Sequence, residues 1–414
     1  MPAKSQAEPS PARPAESPAP SRVAAKDYLP PAQQRLAESN EPGGIVWRYP
    51  VLLPGQGVQA PPLRGSPAIG SQGRIYAAIG RKLIALEEQD GQLNRLWEYT
   101  TGGNIPGSPA LGGDGRIRIH SGDGEVHCLT EKGEQAWSPA QLGEPLGWAS
   151  PVTDEDSNSW ICGYGGGLIK IDARGTRQGD VFFRTRQRFD STGLVHRNVF
   201  YVGAEDGFVY AVSLDALRGK NLWNPLEDKG KTEWFINSSP AMADENTLIV
   251  AGRDEYLYAF DLNGDQRWKL HLRGQMLASP VVAPAGDIFV GVSLERRGEE
   301  SWGKLVCVDG QSHKLRWEYR ADGPVESTPV IGDDGIVYVG DNKGTIHAVD
   351  GDGRDAWKTN VGSAVRSCGT FAREHRLIFG LDNGSLVALY CTSSGLPPKG
   401  WPKYMRTVNQ SGMA

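Results

Sequence analysis

Six side chains of this sequence share one repeated address. Counting three residues back from a recurring Pro, or the Gly that replaces it, gives Arg64, Trp148, Asp190, Asn237, Glu326 and Arg366. Pro106 and Leu277 stand at the two remaining copies. Two guanidinium groups, two carboxylates, an amide and an indole would make a polar, mixed-charge rim if the fold gathered them. Such a rim can hold a peptide or a small polar ligand by charge-assisted hydrogen bonds and stacking. It can also be a wet funnel in which opposite charges merely offset one another, because exposed pairs contribute little.

The other chemistry-bearing residues fall into structural patterns. Of the five cysteines, Cys128 and Cys307 occupy a repeat position filled elsewhere by Ala85, Ala211, Ala259, Ala348 and Ala388. That is a small buried slot, and a free Cys behaves as a small hydrophobe. No Cys-x-x-Cys occurs, so redox and zinc motifs are absent. The seven histidines show no metal-ligand spacing; His127 and His347 take a place held elsewhere by Tyr210 and Tyr258, which suggests a strand-surface role. TDEDSNS (153–159) begins like a calcium loop but lacks the Gly and Glu such a loop needs. The glycines of 163–167 lead into a strand rather than a helix N-terminus, so they do not form a phosphate loop. Neither a Walker loop nor a Gly-x-Ser-x-Gly elbow is present. The expectation is therefore no catalytic residue, no metal and no cofactor.

The elements that would position the rim repeat along the chain. The unit STPVIGDDGIVYVGDNKGTIHAVDGDGRDAW (327–357) has counterparts at 238–268, 107–137 and 65–97. Each runs Ser-Pro, a polar turn, an apolar strand, a Gly-centred turn, a second strand, another turn, then Trp. Anchors at Pro67, Pro109, Pro151, Gly193, Pro240, Pro280, Pro329 and Gly369 recur every 40 to 49 residues. The runs between turns are too short for helices. Asp114-Gly115, Asp206-Gly207, Asp334-Gly335 and Asn383-Gly384 are hairpin signals, since these pairs tolerate the positive φ of tight turns. A four-stranded sheet of this size cannot hide its own faces, whereas radial stacking covers them. The expected fold is all-β: an eight-bladed β-propeller of four-stranded antiparallel blades over residues 45–405. Residues 1–44, rich in Pro, Ala and Ser, are expected to be a disordered tail, and 406–414 a C-terminal tail.

Trp97, Trp137, Trp223, Trp268, Trp317 and Trp357 close their units, and Phe182 or Phe183 stands in for the third. Their place predicts packing between adjacent blades, with the indole N–H reaching a backbone carbonyl. IVWRYP (45–50) also resembles an outer strand, as does the segment at Trp401, so nine candidates compete for eight slots. Residues 45–49 are expected to complete the last blade and remove an open sheet edge.

YVGAEDGFVYAV (201–212) and YVGDNKGTIHAVD (338–350), followed by Gly and Trp, resemble the pyrroloquinoline-quinone-like propeller repeat. That family includes the propeller lipoprotein of the bacterial outer-membrane barrel-assembly machinery and quinone-dependent alcohol dehydrogenases. The first resemblance implies a non-enzymatic scaffold for a protein or peptide partner, in the bacterial cell envelope. The second implies a dehydrogenase with pyrroloquinoline quinone and calcium, in which Glu326, Asn237 and Asp190 would hold the ion. The chain departs from the dehydrogenases in lacking an adjacent Cys-Cys pair. It departs from the lipoprotein in having no Cys before Cys128.

A net charge of −5 argues against nucleic acid. No apolar run is long enough for a transmembrane helix, and the N-terminus lacks the pattern of a signal peptide. A monomer is expected.

Overall fold

Short alternating runs divided by Asp-Gly and Asn-Gly turns leave each repeat one choice, a meander of four antiparallel strands. The computed structural model describes residues 41–49, 63–89, 92–215, 218–295, 298 and 300–407. It shows eight four-stranded antiparallel sheets arranged as the blades of a propeller. Blades 1 to 7 span Ala68–Thr100, Ala110–Gln141, Val152–Arg184, Leu194–Asn221, Ala241–His271, Val281–Ala321 and Val330–Asn360. Blade 8 combines Thr370–Ala372, Arg376–Gly380 and Leu386–Tyr390 with the N-terminal strand Ile45–Tyr49. The two chain ends are thus clasped by main-chain pairing, with Trp47 opposite Ala388. The Gly43 N–H extends the clasp by donating to the Tyr390 carbonyl at 2.9 Å. Residues 1–40, most of the expected disordered tail, lie outside the described residues.

One contact recurs between blades. Trp97 sits opposite Ala85, Trp137 opposite Cys128, Trp268 opposite Ala259, Trp317 opposite Cys307 and Trp357 opposite Ala348. The small residue leaves room for the indole, which then leans on the following blade. Trp97 Nε1 donates to the Glu131 carbonyl (2.9 Å), Trp223 to Leu262 (3.0 Å) and Trp317 to Gly351 (3.0 Å). Trp268 instead stacks on His313 of blade 6, centroids 4.9 Å apart. Trp97 lies so close over Gly133 that a Cβ there would meet the ring at 2.6 Å, and Gly133 has φ +79, a conformation suited to glycine. Trp137 Nε1 is buried without a partner among the described residues. In blade 3 the place is taken by buried Phe182, edge-on to Trp160 at 4.8 Å. All five cysteines are free and buried.

Near the channel the blades are joined by a second repeated device. The residue just before each anchor is Ser66, Ser108, Ser150, Thr192, Ser239, Ser279, Thr328 or Cys368. Ser66 N–H donates to Ser108 Oγ (2.8 Å), Ser108 to Ser150 (2.9 Å), Ser150 to Thr192 (2.7 Å) and Thr192 to Ser239 (3.0 Å). Ser239 continues to Ser279 (2.9 Å), Ser279 to Thr328 (3.0 Å), and Cys368 N–H closes onto Ser66 (2.9 Å). Only at Cys368 does a thiol replace the hydroxyl.

His127 and His347 are buried, not on the strand surface as the sequence suggests. His347 Nε2 lies 2.9 Å from Asp341 Oδ2 and its Nδ1 3.0 Å from the Tyr319 hydroxyl. Tyr210 and Tyr258 occupy the same place and donate to Asp206 and Asp254, each at 2.7 Å. A polar side chain reaching the Asp of its own hairpin turn is satisfied inside the stack, which makes burial tolerable. Asp341 and His347, with Asp322, form one of two carboxylate–histidine groups compact enough for a metal ion among the described residues. The partners of His347 make it part of the blade framework.

The longer intervals hold insertions. One contains a short 3₁₀ turn, Pro225–Glu227; the other lengthens the hairpin between Ile288–Leu294 and Trp302–Val308. Among the described residues beyond Tyr390 there is no further blade strand. The chain runs beneath blade 7 and rises into the channel, so the Trp401 segment is not an outer strand.

Candidate functional site: the funnel at the channel mouth

The innermost strand of each blade starts at one end of the ring, so equivalent residues just ahead of it converge there. Arg64, Pro106, Trp148, Asp190, Asn237, Leu277, Glu326 and Arg366 all line one funnel of about 340 Å³. The hydroxyl ring forms its lower wall, and Tyr404 is part of its lining.

The polar residues divide into two groups on different sides. On the blade 7–8 side, Arg366 Nε pairs with Glu326 Oε2 at 3.0 Å, and its guanidinium also pairs with Asp382. Asn342 Nδ2 donates to the other Glu326 oxygen at 2.6 Å. On the blade 4–5 side, Asn237 Nδ2 donates to Asp190 Oδ2 at 3.0 Å, and Glu205 accepts from Arg188 at 2.5 Å. Burial, and then the neighbouring Glu205, raise the Asp190 carboxyl to a pKa of about 6. Burial would raise Glu205 as well, but hydrogen bonds from Arg188 and Asp190 hold it below the usual carboxylate range. Below about pH 6 the two acids thus share a proton rather than both ionising. Asn237 Oδ1 is buried without a partner among the described residues.

Arg64 stands apart. Its guanidinium lies over the Trp148 ring, 4.8 Å from the centroid, and no carboxylate pairs with it among the described residues. Burial and the nearby Arg366 both lower its pKa, a cost that an incoming anion would relieve. Trp148 is 50% exposed, among the few large apolar side chains left open to solvent. The same face carries Arg188 over Tyr164 (4.5 Å), Arg253 over Trp234 (5.6 Å) and Arg320 over Trp302 (4.2 Å). A guanidinium stacked on an aromatic presents its N–H edge to carboxylates or carbonyls, as Arg188 already does to Glu205. The face can therefore grip polypeptide.

The three residues that would hold calcium do not form one group. Asp190 and Asn237 sit together, while Glu326 belongs to the Arg366 cluster. Sequence reasoning missed Glu205, Arg253, Asn342 and Asp382. All four occupy one position of the hairpin turn between second and third strands, so comparing that turn across repeats would have found them. It missed Tyr404 because no repeat predicts a tail inside the channel.

The model of a family described as outer membrane protein assembly factor BamB matches residues 32–180, 161–291 and 253–395. Outer membrane protein assembly factor BamB of Moranella endobia (strain PCIT) is 27% identical over 306 residues, 69% of this chain and 71% of that protein. The crystal structure of BamB from Moraxella catarrhalis matches with a TM-score of 0.61 and 16% identity, over 78% of this chain and 95% of that one. A europium-containing methanol dehydrogenase reaches 0.58 at 14% identity, over 83% and 85%. At such identities the structural likeness speaks for the fold alone. With its three family matches running through all eight blades, the chain belongs to the outer membrane protein assembly factor BamB family of pyrroloquinoline-quinone-like propellers.

Proposed function

We propose that this protein is a non-enzymatic scaffold in bacterial outer-membrane assembly, located in the cell envelope and holding a protein partner at the mouth face. One observation carries the choice of face: an unpaired Arg64 stacked on a half-exposed Trp148, beside three further arginine–aromatic pairs. Aromatic and arginine side chains dominate binding energy at protein interfaces because they bury much area at little entropic cost. No helix among the described residues is long and apolar enough to cross a membrane.

The test is complementation. A host lacking this protein should recover its content of assembled outer-membrane protein with the wild-type chain. It should not recover with Arg64→Ala/Trp148→Ala/Arg366→Ala at equal protein level. Full recovery by the triple variant would move the contact away from the mouth. The dehydrogenase alternative is tested by adding pyrroloquinoline quinone and calcium and following dye-linked alcohol oxidation; turnover would replace the scaffold role.

A further inference from the structure

The family match ends at residue 395, and a segment that belongs to no blade follows it. Thr392 and Ser394 are tied to Asp334 and Asp333 beneath blade 7, with the Ser394 N–H bonded to Asp333 at 2.9 Å. The chain then turns at Gly400, whose φ is +86 and where a Cβ would meet the Val282 carbonyl at 2.5 Å. Trp401 exchanges two main-chain hydrogen bonds with Val282 on the innermost strand of blade 6, both 2.8 Å. The next carbonyl, Pro402, accepts from Ile331 N–H on the innermost strand of blade 7, also at 2.8 Å. Trp401 and Met405 are buried in two different core clusters, one running from blade 4 to blade 6 and the other through blades 3 and 4. The Tyr404 hydroxyl reaches blades 3 and 4, 3.0 Å from Ser150 Oγ and 2.6 Å from Thr192 Oγ1. Innermost strands of a propeller have a free edge facing the channel. Here that edge is read the way an extended peptide is read by strand addition: main-chain pairing plus pockets for particular side chains.

The occupant is imperfect at one place. Lys403 is fully buried, and among the described residues nothing hydrogen-bonds its Nζ. A buried ammonium without a counter-charge is costly, and a neutral amine left unbonded still loses its water contacts. Three main-chain bonds and the side chains of Trp401, Tyr404 and Met405 hold the segment, and Lys403 weakens that hold.

We propose that the lower channel is a binding groove for an extended Gly-Trp-Pro-x-Tyr peptide, and that residues 400–405 are its resident, exchangeable ligand. When the segment leaves, the one-ended funnel becomes an open channel, with the edges of Val281–Val282 and Val330–Ile331 free for a partner segment of the same pattern. This groove is separate from the arginine–aromatic face and stands or falls without it.

Cys368 reports the exchange in the intact chain. It is buried at the funnel wall, in the electrostatic field of Lys403, while Cys128, Cys162 and Cys307 lie within blades and Cys391 is buried just after the last strand of blade 8. Native-state labelling with a small maleimide, normalised to each thiol's rate in the unfolded chain, should modify Cys368 at least tenfold faster than the other four. Lys403→Met, which removes the defect, should slow Cys368 at least tenfold and leave the rest unchanged; Trp401→Ala should speed it. A fluorescent peptide of residues 396–407 should bind Trp401→Ala saturably and Lys403→Met at least tenfold more weakly. The proposal is overturned if Cys368 labels in one phase with the other thiols. It is equally overturned if Cys368 labels fast but is indifferent to Lys403→Met, which would mean access through the mouth, or if the peptide binds neither variant.

Discussion

Replacing Ser108 by Ala tests the hydroxyl ring at its simplest point. Ser108 Oγ accepts the buried Ser66 N–H at 2.8 Å, its one hydrogen bond among the described residues. Alanine removes the acceptor and little volume, so cavity formation adds almost nothing. What remains is a buried N–H with no partner, which costs about 1–3 kcal/mol. Ser150→Ala should cost more. It strands the Ser108 N–H and also takes one of the two hydroxyls that meet Tyr404, a neutral hydrogen bond worth a further ~0.5–1.5 kcal/mol. Ser108→Thr keeps the oxygen, and Thr192 and Thr328 already stand at equivalent places, so that variant should stay close to wild type. Cys368→Ser would offer Thr328 N–H a hydroxyl acceptor, which it has not among the described residues, and should stabilise by about 1 kcal/mol. Equilibrium urea unfolding of the set, read as midpoint shifts at constant slope, measures each difference. A Ser108→Ala variant within about 0.5 kcal/mol of wild type, or a threonine as damaging as alanine, would show that the ring does not join the blades energetically.

Other perturbations follow from the same geometry. Asp190 is neutral in the folded protein up to a pKa of about 6, against ~3.9 unfolded, so its contribution is complete below pH 4 and is lost as pH rises through 6. Asp190→Asn should therefore match wild type near pH 4 and exceed it near pH 8 by about 1 kcal/mol, the full shift being discounted for partial exposure and for the opposite shift of Glu205. Thermal melts across that range read it, and a pH-independent difference would refute the shared proton. Trp47→Ala empties the closure strand's contact with Ala388 and leaves Glu88 without the indole N–H now 2.9 Å away. It should cost ~3–5 kcal/mol and raise hydrogen exchange first along Ile45–Tyr49 and Leu386–Tyr390. Arg64→Ala should weaken partner binding without lowering the melting temperature, since Arg64 has no ion pair to lose; a large stability loss would make it a framework residue.

Much of this molecule could be read without coordinates because repetition multiplies a weak local signal. One Ser-Pro-strand-Gly-strand-Trp unit says little; eight at near-constant spacing specify a closed ring, since small sheets cannot cover their own faces. The same equivalence makes residues three ahead of each anchor neighbours in space, and their convergence on one funnel follows from symmetry rather than from any pair of them. Ile45–Tyr49 could be assigned to blade 8 because its Trp matched those opposite Ala85 and Ala348. Tertiary structure alone decided what breaks the repeat. Arg64 finds Trp148 two blades away, and Glu205 rather than Glu326 becomes the neighbour of Asp190, because side-chain reach across a mouth has no period along the chain. His127 and His347 are buried because each meets a hairpin Asp and a Tyr from the preceding blade. Tyr404 meets Ser150 across 254 positions. A contact of that span depends on the channel having formed first, so nothing in the local pattern of residues 400–405 could announce it.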